Sequence, residues 1–198
     1  MGSEMCIRDR ARILALGALT HRLRGERLAE MAALKDVGCV GVSDGGHPIS
    51  NTLVLRRALE YAATFDLTVF LTPLDPCLGH GLAHEGQVAS RMGLAGIPAA
   101  AETGAIARDL ELIRDLGVRP HFGRLSCARS VELIARAQSE RLPVTADVAI
   151  HQLYLTEMDL AGFDSQCHVQ PPLRGLRDLD ALRLGLASGV LGAICSDH

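Results

Sequence analysis

Short apolar runs alternate with amphipathic stretches from residue 13 to the end of the chain. The apolar runs predict six strands, at Ile13–Leu16, Cys39–Val42, Leu67–Leu71, Pro120–Leu125, Val144–Ile150 and Gly189–Ile194. The stretches between them predict helices at 26–37, from the Asn51 cap to Phe65, and at 85–92, 101–116, 130–141 and 176–188. This order carries no hairpin signal and therefore predicts a parallel sheet.

Polar residues after the strands separate two parallel-sheet folds. A doubly wound dinucleotide-binding fold would show a Gly-rich fingerprint after a strand, and none is present. Instead, acids and bases follow several strands, namely Asp44, Asp75, Arg124, His151 and Asp197. This pattern is typical of the catalytic face of a barrel. We predict an α/β fold, an incomplete (β/α)8 TIM barrel of about six parallel strands.

The two ends of the chain differ from this pattern. Residues 1–10 are polar and aperiodic, and we interpret them as a non-native leader in front of a partial barrel domain at 11–198. The chain ends directly after its last strand, where a barrel would place a loop and a helix. We therefore expect the chain to be a fragment.

Composition narrows the classes of partner and location. A formal net charge of −3 and the lack of a basic stripe argue against nucleic acid. No apolar run reaches the roughly 18 residues of a membrane span. The six Cys are scattered without a CxxC pair, which is typical of reduced thiols in a cytoplasmic protein.

The polar residues allow ordinary structural roles when they are considered alone. Asp44 stands in a Gly-rich turn, His151 could be a hydrogen-bonded structural histidine, and Asp197 ends the last strand. His47, His80 and His84 lie in predicted loops. Neither HxH nor HExxH occurs, so the sequence contains no self-contained zinc motif.

Several phrases resemble one family in the right order along the chain. They are GALT at 17–20, SDGGHPI at 43–49, RALEYA at 57–62, HEG at 84–86, GIP at 96–98, AET at 101–103, VTADVA at 144–149, LTE at 155–157, VQPPLR at 169–174 and CSDH at 195–198. Together they are similar to the middle of a dihydroorotase of the bacterial cyclic amidohydrolase type.

The resemblance implies a zinc-dependent (β/α)8 barrel that hydrolyses and forms the dihydroorotate ring in pyrimidine synthesis. It implies that the six strands are the family's strands three to eight, so that the HxH pair of strand one is absent. Asp44 then matches the strand-four metal acid. Asp197 matches the strand-eight acid, which binds metal and acts as general acid and base. His151 matches a substrate-binding position, and Gln152 stands where a second His is expected.

Two further positions depart from the family. Thr72 and Arg124 stand where the strand-five and strand-six His ligands belong, although the flanking residues match. Thr is a poor zinc ligand, and the permanent charge of Arg opposes a cation. We therefore expect zinc in the family but none in this chain, with Asp44 and Asp197 as vestigial ligands. A shifted alignment, with His80 and His121 as the real ligands, is the alternative.

Three functions follow from the resemblance. The chain resembles the degenerate, non-catalytic dihydroorotase-like subunits of proteobacteria, which implies support of aspartate transcarbamoylase assembly and an oligomeric full-length form. The alternative is an active zinc-dependent dihydroorotase. A third option is a barrel that binds a small anion through Arg124.

Overall fold

The central sheet is parallel throughout. The computed structural model describes residues 13–197, and within that range six strands form one sheet in the order β1-β2-β3-β6-β7-β8. Their bounds are β1 Leu16–Ala18, β2 Gly41–Ser43, β3 Thr68–Leu71, β6 Arg119–Phe122, β7 Thr145–Ala149 and β8 Ala193–Cys195. The incomplete α/β barrel predicted from the sequence is confirmed.

Helices connect these strands and cover one face of the sheet. They are α1 Met31–Asp36, α2 Thr52–Thr64, α4 Ala99–Ile113, α5 Ala128–Ser139 and α7 Leu176–Ala187. The predicted cap of α2 is confirmed, because the Asn51 side chain accepts hydrogen bonds from the amides of Leu53 and Val54. Apolar residues at helical spacing on α2 are buried against the sheet.

A smaller lobe sits beside the sheet, and its two strands were not predicted, although its helix at 85–92 was. It contains β4 Ala83–His84 and β5 Gly96–Ile97, which pair in parallel, with α3 Gln87–Met92 and α6 Glu157–Leu160. Its own small core contains Ala83, Ala89, Leu160, Cys167 and Leu173. The two strands have only two residues each, which is too short for an alternating pattern to be visible in the sequence.

Several predicted boundaries were wrong. The helix predicted at 26–37 begins only at Met31, because Thr20 and Leu28 pair in an antiparallel bridge. The last strand begins at Ala193 rather than Gly189, which has φ +80° and ends α7 in a turn.

The proposed leader at 1–10 and His198 lie outside the described residues. Within the described range, no helix has both the length and the apolar character needed to cross a membrane.

Candidate functional site

Asp44 lies directly after β2 and is held by the neighbouring strand end. Its Oδ2 accepts a hydrogen bond from the Thr72 amide at 2.6 Å, and its Oδ1 accepts from Thr72 Oγ1 at 2.8 Å and from the Gly46 amide at 3.1 Å. Asp44 is only 3% exposed. Three protein donors therefore hold this carboxylate at the position where the resemblance predicts a metal ligand.

Arg124 follows β6 and reaches across the carboxyl ends of the strands. Its Nη1 lies 2.9 Å from Asp197 Oδ1, and both side chains are partly exposed, at 30% and 22%. Arg124 has φ +57°, which places its backbone in the left-handed region that non-Gly residues rarely occupy. The sequence placed a cation and an acid at these two strand ends, and the structure brings them together as an ion pair.

A third acid, Asp147 on β7, contacts the backbone of Arg124 and the side chain of His121 at the same edge of the sheet. Its Oδ1 accepts from the Arg124 amide at 2.6 Å, and its Oδ2 lies 2.9 Å from His121 Nε2. Burial opposes ionisation of Asp147, but the hydrogen bonds from His121 and the Arg124 amide lower its pKa below the ordinary value. Cys195 Sγ donates to Asp147 Oδ1 at 3.6 Å, and burial beside this acid raises the thiol pKa to about 11.

His151 and Gln152 lie in a short 3-10 turn, Ile150–Leu153, directly after β7. Burial lowers the pKa of His151; Asp197 raises it and Arg124 lowers it further. The buried His151 Nε2 has no hydrogen-bond partner among the described residues. Gln152 instead donates to the carbonyls of Pro171 and Pro172, and so braces the loop that follows. The substrate-binding role of His151 stays a prediction.

A cavity of about 260 Å³ opens at these strand ends. Its lining comes from the loops after β2, β3 and β6 and from the 170–174 segment, and includes Gly46, Thr72, Arg124, Gln170 and Arg174. Asp75 lies elsewhere, since its carboxylate accepts hydrogen bonds from the amides of Cys77 and Leu78 in its own turn. The structure thus places Asp44, Thr72, Arg124 and Asp197 at one mouth and leaves Asp75 out.

A buried polar network lies under this cavity. Glu102 on α4 accepts hydrogen bonds from the amides of Ser126 and Cys127 and from the Ser126 hydroxyl. Arg174 Nε donates to Ser126 Oγ at 3.0 Å, and its Nη2 lies 3.9 Å from Glu102 Oε2. Both charged side chains are 2% exposed. The motif phrases AET and VQPPLR contain these two residues, but no sequence signal connected them.

The donors at the mouth do not suit the zinc centre that the resemblance implies. Zinc prefers imidazole and thiolate, with carboxylates as additional ligands. Thr72 and Arg124 supply neither, and each of them instead holds one of the acids that would bind metal. His121, the alternative ligand, points at Asp147 and Thr145. Within residues 13–197, no three His, Cys, Asp or Glu side chains are grouped to hold a metal ion.

Fold and site together define an α/β-barrel protein with a polar mouth at the carboxyl ends of its parallel strands. A family model described as dihydro-orotase-like matches residues 3–130, about two thirds of the sequence. The chain belongs to the dihydro-orotase-like family, as the motifs predicted.

Curated relatives agree with this assignment. The chain is 54% identical over 189 residues to a dihydroorotase-like protein of Pseudomonas aeruginosa, and 44% identical over 188 residues to a dihydroorotase of Syntrophobacter fumaroxidans. These matches cover 95% and 94% of this chain but 45% and 43% of the relatives, so the chain spans about half the length of the curated relatives that it matches.

Solved cyclic amidohydrolases share the fold. An L-hydantoinase from Arthrobacter aurescens superposes with a TM-score of 0.76 at 23% identity, covering 93% of this chain and 43% of that one. A dihydroorotase from Saccharomyces cerevisiae gives 0.67 at 17% identity, covering 89% and 49%. At these identities the likeness concerns the barrel fold alone.

Proposed function

We propose that this chain is part of a dihydroorotase-family protein of pyrimidine biosynthesis that lacks a catalytic zinc centre and acts by binding. One observation carries the proposal: Arg124 and Thr72 stand at two matched ligand positions, and each is bonded to an acid of the same mouth. A fixed guanidinium charge at 2.9 Å from Asp197 occupies the electrostatic role that a cation would have there.

Loss of the metal removes most of the family's catalytic power. A metal supplies both an activated water and a Lewis acid, and each is worth several kcal/mol of barrier. Asp197 alone then has no activated nucleophile to deprotonate. His151 would still offer an imidazole to a substrate, but positioning without activation does not open a stable ring amide.

The binding role rests on the preserved fold. The core of the sheet and helices remains apolar and closely packed, with Val42, Leu59, Val69, Ile106 and Phe122 all fully buried. A sequence that keeps its core while its metal ligands change supports a structural role by analogy with other proteins that keep a fold and change its function. We propose aspartate transcarbamoylase as the partner, in an oligomeric, cytoplasmic complex.

Metal content and turnover test the catalytic half of this proposal. The protein as it is made in its organism should purify without stoichiometric zinc, and should hydrolyse dihydroorotate no faster than its Asp197→Asn variant. Element analysis and an absorbance assay measure the two quantities. Stoichiometric zinc together with Asp197-dependent turnover would overturn the proposal.

Rebuilding the ligands gives a sharper test. The double substitution Thr72→His and Arg124→His would add two imidazoles to the mouth that already holds Asp44 and Asp197, which gives zinc four candidate ligands. We expect this variant to bind about one zinc per chain, while Thr72→His alone and the double variant with Asp44→Asn should not. If the double variant binds no more zinc than the unchanged chain, these strand ends are not the ligand positions.

Co-expression tests the binding half. The protein and the transcarbamoylase of the same organism should co-elute, and the transcarbamoylase should lose assembly when the partner is omitted. Equal assembly and activity of the transcarbamoylase without the partner, with no co-elution, would refute the role.

An active zinc-dependent dihydroorotase is the second candidate. The observation that favours it is the 40–44% identity to several relatives named dihydroorotase. It requires His121 or His80 to replace the missing ligands, but His121 bonds to Asp147 and His80 lies exposed in the loop before β4. His121→Asn should abolish zinc binding under this candidate and leave it unchanged under the first.

A further inference from the structure

His84 ends β4 of the small lobe and contacts the buried Arg174. Arg174 Nη1 lies 2.9 Å from His84 Nδ1, and the same nitrogen donates to the carbonyl of Ile97 on β5 at 2.9 Å. A guanidinium can only donate, so Nδ1 must be unprotonated to accept this bond. The bond from Arg174 to β4 therefore requires neutral His84, whereas its bond to the Ile97 carbonyl on β5 does not.

A carboxylate that could become a second partner for the imidazole lies near it, because Glu157 Oε2 and His84 Cδ2 lie 3.3 Å and 3.9 Å from a Cβ built on Gly86. Glu157 begins α6, and its buried Oε2 has no hydrogen-bond partner among the described residues. This oxygen is close to the chain after His84, since a Cβ built on Gly86 would lie 3.3 Å from it. The charged groups that face His84 are thus one cation, Arg174, and two acids, Glu157 and Asp178.

We propose that His84 is a pH-sensitive latch of the small lobe, which binds Arg174 when neutral and turns to Glu157 when protonated. Two cations cannot share the 2.9 Å contact, so protonation breaks it, and the ring turns so that the imidazolium donates a hydrogen bond to the unpartnered carboxylate oxygen of Glu157. Strand β4 then loses its bond to Arg174, the side chain that lines the mouth cavity and bonds to Ser126, while the bond from Arg174 to the Ile97 carbonyl on β5 remains.

The energetics set the direction of the switch. Burial lowers the pKa of His84 and Arg174 lowers it further, while Glu157, Asp178 and the Ile97 carbonyl raise it without reversing the shift. Neutral His84 therefore prevails at neutral pH and above, and the latch opens only as the pH falls below the ordinary histidine range. Opening at the small lobe would reshape the cavity above Arg174 while the sheet stays intact.

Hydrogen exchange of the unchanged chain at pH 8 and pH 4.5 tests the latch directly. After correction for intrinsic exchange rates, amides of residues 83–97 should exchange about tenfold faster at the lower pH, while those of β3 and β6 change little. Equal protection of residues 83–97 at the two pH values would overturn the proposal, as would a uniform loss across all strands.

Three variants separate the latch from a general acid effect. His84→Gln can still accept from Arg174 but cannot titrate, so exchange in residues 83–97 should no longer depend on pH. The control variant His80→Gln removes a nearby exposed histidine, so exchange in residues 83–97 should keep its full dependence on pH. Glu157→Gln should move the His84 titration, followed by NMR, to lower pH. An unchanged pH dependence in His84→Gln, or an unmoved titration in Glu157→Gln, would refute the switch.

Discussion

Two arginine–carboxylate pairs lie at the mouth cavity, one at the strand ends and one beneath them, and they differ in burial and in distance, at 2.9 Å and 3.9 Å. Arg124 and Asp197 meet at the strand ends with 30% and 22% of their side chains exposed, whereas Arg174 and Glu102 are 2% exposed. Solvent screens the first pair, so its contribution to folding is small. The second pair lies where an unpaired charge is very costly. Arg124 and Asp197 thus neutralise each other's charge at the mouth, whereas Arg174 and Glu102 stabilise the fold beneath it.

The largest expected effect is the removal of Arg174. Arg174→Met leaves Glu102 buried without its cation and removes the bonds to Ser126 and His84, so the free energy of unfolding should fall by about 3–5 kcal/mol. Urea denaturation measures this loss. Arg177→Met, an exposed arginine three residues later, should change the free energy by less than about 0.5 kcal/mol.

A double variant checks the assignment of that loss. Adding Glu102→Gln to Arg174→Met removes the stranded charge, so the double variant should be less destabilised than the sum of the two single variants. Simple additivity would mean that Arg174 acts through packing, and the comparison between the two pairs would then lose its electrostatic basis.

The residues at the mouth could be predicted from the sequence, but the buried polar network beneath them could not. Asp44, Arg124 and Asp197 were recognised because each follows a strand, and parallel strands end at the same edge. Glu102 and Arg174 are 72 positions apart, in a helix and a loop, and no periodicity indicates that they meet. The two strands of the small lobe were missed for a related reason, since two-residue strands carry no pattern and depend on long-range contacts. The parallel arrangement of the main sheet followed from the repeated strand–helix units.

The Arg108–Asp109 pair is intermediate in burial between the two pairs already compared. Asp109 on α4 is 4% exposed in its side chain, but its partner Arg108 is 25% exposed. Burial raises the pKa of Asp109 to about 6; Arg108 opposes this rise and Asp44 adds to it. The folded chain therefore holds this proton more tightly than the unfolded chain, and stability is lost as the pH rises from about 4 to about 6.

Asp109→Asn should remove that loss. At pH 7.5 the variant should unfold with a free energy about 1–3 kcal/mol higher than the unchanged chain, and the gain should shrink toward pH 4. Asp115→Asn, an exposed acid just after α4, should show no such pH dependence. Parallel denaturation curves of both variants from pH 4 to 8 measure the difference. A gain that is constant with pH would show that Asp109 is not the titrating group.

The smallest expected effect concerns Arg124, where two terms nearly cancel. Arg124→Gly loses the exposed ion pair, worth about 0.5 kcal/mol, and raises the entropy of the unfolded chain, but it relieves a left-handed backbone at φ +57°. The free energy of unfolding should therefore change by less than about 0.5 kcal/mol. Arg124→Ala keeps the backbone cost and should lose about 0.5–1 kcal/mol.

Arg141 provides the matched control. It has φ +63° after α5 and makes no ion pair among the described residues. Arg141→Gly should therefore stabilise the chain by up to about 1 kcal/mol. If Arg124→Gly instead costs more than about 2 kcal/mol, the guanidinium at the mouth is as important to folding as Arg174, and exposure does not separate the two pairs. If both glycine variants are equally stabilised, the ion pair contributes nothing measurable, and Arg124 acts at the mouth through its charge alone.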